Sequence, residues 1–168
     1  MIFLYVILAY LFIVFVVIRL VVPNLGFKRK PIPKNIPEEL SKTIDRLNTE
    51  ATSDENYLEL AYKYVTTKHT GGHIRTLTNF WKAFLDPLCS KSKFMHCAGQ
   101  NYLLRTLLIK SGRFEEKNIK IVIRFLDFFM HQYSKIKVNG KIIDVDPWAD
   151  FIGASIGEKA KWFKLRKK

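Results

Sequence analysis

The sequence predicts an α+β domain carried behind a single membrane-spanning helix. An unbroken apolar run opens the chain, and apolar residues then recur at helical spacing through the middle of the chain. Around an Asn-Gly turn in the last third the spacing becomes alternating. Helices first and strands afterwards favour helices packed on an antiparallel sheet rather than a βαβ arrangement. The roughly 130 residues beyond the run are enough for one hydrophobic core. No internal repeat is visible.

Met1 to Val22 makes 22 residues with one charge, Arg19. A helix needs about 20 apolar residues to cross a ~30 Å hydrocarbon core, so residues 1–22 are expected to be a single-pass transmembrane anchor. A cleaved signal peptide fits less well, because no Lys or Arg precedes the run and no small-x-small site follows it. Arg19, Lys28, Arg29, Lys30 and Lys34 lie on the C-terminal flank, whereas only the α-amino group lies on the other. The positive-inside rule therefore puts the following domain in the cytoplasm.

Residues 23–37 hold four prolines and a basic cluster and read as a juxtamembrane linker. Leu40, Ile44 and Leu47 mark a short amphipathic helix. Ser53 is placed to cap a second one that carries Tyr57, Leu58, Ala61, Tyr62 and Val65 inward. A third helical stripe is Ile74, Leu77, Trp81 and Leu85, closed by Asp86-Pro87. The fourth helix starts at Cys97, turns Leu103, Leu104, Leu107 and Leu108 to one face, and stops at Gly112. Ile119, Ile121, Ile123 and Phe125 then alternate as a strand, and Val138-Asn139-Gly140-Lys141 predicts a two-residue type I′ hairpin, whose central residues need positive φ. The domain is assigned to 38–158 and a basic tail to 159–168.

Three residues carry chemistry. A cysteine at a helix start meets unsatisfied N–H groups and the positive end of the helix dipole, which favour the thiolate together with a nearby imidazolium. Cys97 is in that position. The hairpin fixes a register in which paired positions sum to 279, so Tyr133 is expected opposite Asp146 and His131 opposite Trp148. His131 and Asp146 become diagonal neighbours on one face, about 7 Å apart at Cβ, within reach of a side-chain hydrogen bond. Asp144 falls opposite Lys135 and is the reserve partner. Each residue alone also has a structural reading, as a small core cysteine, a strand histidine and a strand-ending Asp-Pro.

At these residues the chain resembles the transglutaminase-like superfamily. That family carries a Cys, His, Asp triad in this chain order on a papain-like core. Cys97, Leu103, Leu104, Leu107, Leu108 and Gly112 stand where the family has its cysteine, leucine-rich helix and glycine. His131-Gln132-Tyr133 and Asp146-Pro147-Trp148 stand in its later segment. The resemblance covers roughly residues 57 to 152, and departs from the pattern at His96, at Asn101 and after Gly112. It implies a thiol acyl-transfer enzyme, most simply a peptidase or amidase, that needs no cofactor. Cys97 would be the nucleophile, His131 the general base and acid, and Asp146 the residue orienting His131. The backbone N–H of Cys97 would be one oxyanion donor, with Trp81 a candidate second on resemblance and position. A protein-cross-linking transglutaminase, and a catalytically silent membrane-tethered interaction module, remain open beside it.

The net charge of +13 asks for a partner. An anionic membrane suits it best, through Lys28, Arg29 and Lys30 on one side and Lys164, Arg166 and Lys167 in the tail, because the anchor already holds the domain at the bilayer. A merely solvated basic surface is the competing reading. No specific nucleic-acid module is recognisable. The other expected partner is a protein or peptide substrate. Cys89 and Cys97 give no disulfide framework and no zinc spacing, and Gly71-Gly72 between His69 and His73 argues for a loop rather than a metal site.

Overall fold

A computed structural model describes residues 2–27, 29–126 and 129–161. The apolar run forms one 20-residue helix, α1 (Ile2–Val21), long and apolar enough to cross a membrane. Its backbone loosens into π-type turns over Ile13–Val17, where the helix meets the rest of the chain. Four further helices follow: α2 (Glu38–Glu50), α3 (Asp54–Lys68), the short α4 (His73–Thr78) and α5 (Cys97–Lys110). Strands β1 (Ile119–Leu126), β2 (Phe129–Val138) and β3 (Lys141–Val145) then form an antiparallel sheet in the order β1-β2-β3. The architecture is α+β, as the periodicity predicts.

Leu40, Ile44 and Leu47 of α2 and Tyr57, Leu58, Ala61, Tyr62 and Val65 of α3 are buried together with the leucines of α5 and with Ile119, Ile136 and Val145 of the sheet. Ser53 caps α3, its Oγ accepting from the Asn56 N–H at 3.1 Å. All positions from Cys97 to Leu108 are buried, because α5 has α2 and α3 on one side and β2 on the other. A helix enclosed in this way has no solvent face to carry charge. Gly112 ends it with φ 77°, a conformation that costs a glycine little.

The hairpin turns through Asn139 (φ 46°) and Gly140 (φ 79°), and its register runs from Val138↔Lys141 to Ser134↔Val145 as expected. The ladder stops there. The expected strand pairs Tyr133 with Asp146 and His131 with Trp148 do not form, because Pro147 lacks an N–H for the ladder and opens a 3₁₀ helix, Pro147–Ile152.

The third stripe also differs from expectation. The helix stops at Thr78 and a separate 3₁₀ turn, Phe80–Phe84, follows, with Asn79 between them at φ −119°, ψ 33°. Ile74, Leu77, Trp81 and Leu85 point outward, 77, 67, 63 and 47% exposed. The Asn79 carbonyl accepts the Lys82 N–H at 2.9 Å, an i→i+3 bond that opens the 3₁₀ turn, and His96 Nε2 at 3.0 Å.

The described residues of the 23–37 linker run against the domain as a strap. Gln132, Tyr102, Arg105 and Lys110 donate to the carbonyls of Asn24, Pro31, Lys30 and Lys34 along it. At the other end, Lys159 and Ala160 belong to the domain: Lys159 pairs with Asp144 at 2.8 Å and Ala160 is fully buried. Lys28, and the tail positions Lys164, Arg166 and Lys167, lie outside the described residues.

Candidate active site

Cys97 is the first residue of α5 and 8% exposed. No side chain caps this helix start, so its first-turn N–H groups are left for another acceptor. His96, just before it, is held by Asn79 and by an edge contact with the Phe94 ring at 4.8 Å. Burial pushes its pKa down, so the ring is neutral and Nε2–H is the donor to Asn79. His96 thus pins the outward-facing 3₁₀ segment to the helix start.

His131 projects from the middle of β2 and Asp146 stands immediately after β3; both are buried. His131 Nε2 donates to Asp146 Oδ2 at 2.6 Å, and the same oxygen accepts the Ala160 backbone N–H at 2.9 Å. Burial alone would lower the His131 pKa. The Asp146 carboxylate, with a smaller contribution from the Cys97 thiol, outweighs it and raises the value to about 9. The thiol is an electrostatic neighbour of the ring without full hydrogen-bond geometry, since His131 Nδ1 has no hydrogen-bond partner. Nδ1 is therefore the nitrogen available to exchange a proton with sulfur.

Aromatic rings enclose this pair. The Trp148 ring lies 4.9 Å from that of His131, with Phe151 and His73 packed on its other sides at 5.0 and 5.2 Å. Gly71 makes the enclosure possible: a Cβ there would sit 2.2 Å from the Trp148 carbonyl oxygen. A water-poor shell strengthens the His131–Asp146 interaction by lowering the local dielectric.

Two residues of this assembly were not legible as site residues. Asn101, buried one turn along α5, donates through Nδ2 to the carbonyls of Cys97 and Gln132, both at 2.9 Å, and accepts from Ser134 Oγ at 2.7 Å. It ties the helix carrying Cys97 to the strand carrying His131. A polar residue inside an all-buried leucine helix was the available signal. Trp148 is the second, buried with its indole Nε1–H unpartnered beside the His131 ring. Trp81, a candidate for the second oxyanion donor on resemblance, is 63% exposed on the outer face of its turn.

The remaining candidates separate. Asp144 pairs with Lys135 at 3.6 Å and with Lys159, away from His131. His69 and His73 do not converge. His69 Nδ1 bonds the Ser92 carbonyl at 2.7 Å, and His73 sits among the aromatic rings. Among the described residues no group of three potential metal ligands comes together.

A thiol at a helix start, an imidazole with one free nitrogen and a buried carboxylate on its other nitrogen have the connectivity needed for nucleophilic acyl transfer. Comparison with protein-family models, curated proteins and solved structures finds no match to this chain.

Proposed function

We propose that the chain is a membrane-anchored cysteine acyl-transfer enzyme of the transglutaminase-like superfamily, a peptidase or amidase on a papain-like core. The observation that carries this reading is the 2.6 Å bond from His131 Nε2 to Asp146, which leaves Nδ1 unpaired with the Cys97 thiol as its neighbour. The thiol proton passes to His131 Nδ1, where the raised pKa favours it, and Cys97 Sγ then attacks the substrate carbonyl carbon as the thiolate. The same nitrogen returns that proton to the leaving amine as the C–N bond breaks, and water then hydrolyses the thioester. Asp146 holds the ring by Nε2, which turns Nδ1 towards the thiol, and stabilises the imidazolium that the raised His131 pKa favours. The Cys97 N–H and the unpartnered Trp148 Nε1–H are the candidate donors to the oxyanion. Transfer to a lysine amine in place of water would make the same acyl-enzyme a cross-linking catalyst.

Membrane placement is supported by α1 and by a second feature. The 3₁₀ turn and the residues around it turn Ile74, Leu77, Phe80, Trp81, Phe84 and Leu85 outward, and Ala83 of that turn packs on the cluster containing Val14 and Val22 at the end of α1. The exposed apolar face therefore adjoins the helix. Positive charge at Arg19 in the last turn of α1 and at Arg29, Lys30 and Lys34 after it supports a cytoplasmic domain.

One observation favours the silent interaction module instead: with Cys97 only 8% exposed, little of the thiol meets solvent. Alkylation with iodoacetamide near neutral pH separates the two readings. Cys89 is exposed, but desolvation and the adjacent Asp86 carboxylate push its thiol pKa up. Faster labelling of the more buried Cys97 supports the enzyme, and slow labelling of both thiols supports the module.

A further inference from the structure

A cavity of about 330 Å³ is bounded by the last turn of α1, the strap, α5 and β1. Arg19, Arg29, Lys30 and Arg105 line it, four cations drawn from three separate parts of the chain. Among the described residues, the carboxylate that pairs with them is Glu116, 3.3 Å from Arg29 and 3.9 Å from Arg105. Arg105 is only 4% exposed, and its Nε makes no hydrogen bond; the Nε of Arg19 is likewise buried and unpartnered. Arg19 stacks on Phe27 at 3.9 Å and Lys30 lies over the Tyr102 ring at 4.7 Å, so both stems are ordered towards the cavity. Burial and the nearby Arg29 charge both lower the Arg105 pKa against the opposing pull of Glu116. Buried cations in excess of their counter-charges are costly unless an anion joins them, and arginine forks match phosphate oxygens in pairs.

The position selects the anion. Arg19 sits two residues before the end of α1, where a spanning helix reaches the headgroup layer. From the cavity, Ile123 leads along β1 to Phe125, which stacks on Phe15 of α1 at 5.6 Å, and Ile18 packs on the same cluster. A polar cationic end and an apolar strip running up the anchor fit an amphiphile. We propose that this cavity binds the phosphate of an anionic glycerophospholipid, with its acyl chains along Ile18, Ile123 and Phe125. The proposal rests on the membrane placement of α1 argued above and is independent of the Cys97 chemistry. Bound lipid would pin the strap, and with it the start of α5, to the bilayer surface.

The full chain, extracted in maltoside, is examined by native mass spectrometry with added phosphatidylglycerol or phosphatidylcholine, and by thermal shift with inorganic phosphate. One phosphatidylglycerol should be retained in preference to phosphatidylcholine. Arg29→Gln and Lys30→Gln, at partly exposed positions, should each weaken retention about fivefold, the factor equivalent to ~1 kcal/mol per basic residue. Near-ultraviolet circular dichroism checks that both variants fold. Equal retention of the two lipids, or unchanged retention in the folded variants, overturns the site. Stabilisation by inorganic phosphate equal to that by lipid assigns the cavity to free phosphate and overturns the lipid. A chain that stays in solution without detergent removes the membrane reading itself, before any lipid is added.

Discussion

Asp146 receives His131 Nε2 at 2.6 Å from one residue beyond the last pair of the β2–β3 ladder. The carboxylate is thus set by the strand but not held in it. Its second contact, the Ala160 N–H at 2.9 Å, comes from beyond the 3₁₀ helix, so two distant segments fix one oxygen. Asp144, inside the ladder, faces Lys135 and Lys159 instead.

Asp146→Asn should lower Cys97 alkylation near neutral pH, and any turnover, by orders of magnitude, because an amide can favour the wrong imidazole tautomer and does not stabilise the imidazolium. Asp144→Asn should leave both nearly unchanged and cost at most ~1 kcal/mol, since its partners are partly exposed lysines. Alkylation rates on the two purified variants decide this, and equal losses would refute the assignment of roles.

Stability should depend on pH through histidines of opposite sign. The His131 pKa is raised to about 9 from an ordinary 6.5, so the native state holds a proton that the unfolded chain gives up. Its contribution is complete below pH ~6.5 and disappears as pH rises through about 9. Burial lowers His69 and His96, so their contribution is present above pH ~6.5 and lost on acidification below it. Denaturant unfolding across this range should show a decline between pH 6.5 and 9 in the native chain that is absent in His131→Gln. A decline that persists in that variant would remove the His131–Asp146 pair as its source.

The helices α2, α3 and α5 and the hairpin register could be read in the sequence because each rests on local periodicity or on the φ demands of Asn139 and Gly140. His131 and Asp146 could be related for the same reason, two residues tied by one turn. What periodicity does not report is which side of a stripe meets the core. Ile74, Leu77, Trp81 and Leu85 have helical spacing, yet the helix breaks at Asn79 and the stripe faces out. The strap was equally hidden, since its carbonyls are held by side chains more than 70 residues away in sequence.

Asn101 supplies a test of how Cys97 and His131 are held together. Asn101→Ala strands the Gln132 carbonyl and the Ser134 hydroxyl in a buried setting and should cost about 1–3 kcal/mol. It should also slow Cys97 alkylation beyond any effect of unfolding, because the link between α5 and β2 is gone. Alkylation at native rate in a destabilised but folded variant would show that Asn101 serves stability alone.

The outward stripe makes the last prediction. Six large apolar side chains on one short segment form the kind of exposed patch that soluble surfaces rarely carry, and this one adjoins the end of α1 through Ala83. If the segment lies in the interfacial layer, Trp81 meets lipid while Trp148, 1% exposed, does not. Full-length chain reconstituted in vesicles containing brominated phosphatidylcholine should therefore show quenched tryptophan emission, and Trp81→Phe should remove a distinct part of that quenching. Replacement of Leu77 by Asp, on the same face, should reduce quenching of Trp81 without unfolding the domain, since Leu77 is 67% exposed and contributes little to the core. Fractional quenching identical in the native chain and in Trp81→Phe would mean that the stripe faces water or a protein partner rather than the bilayer.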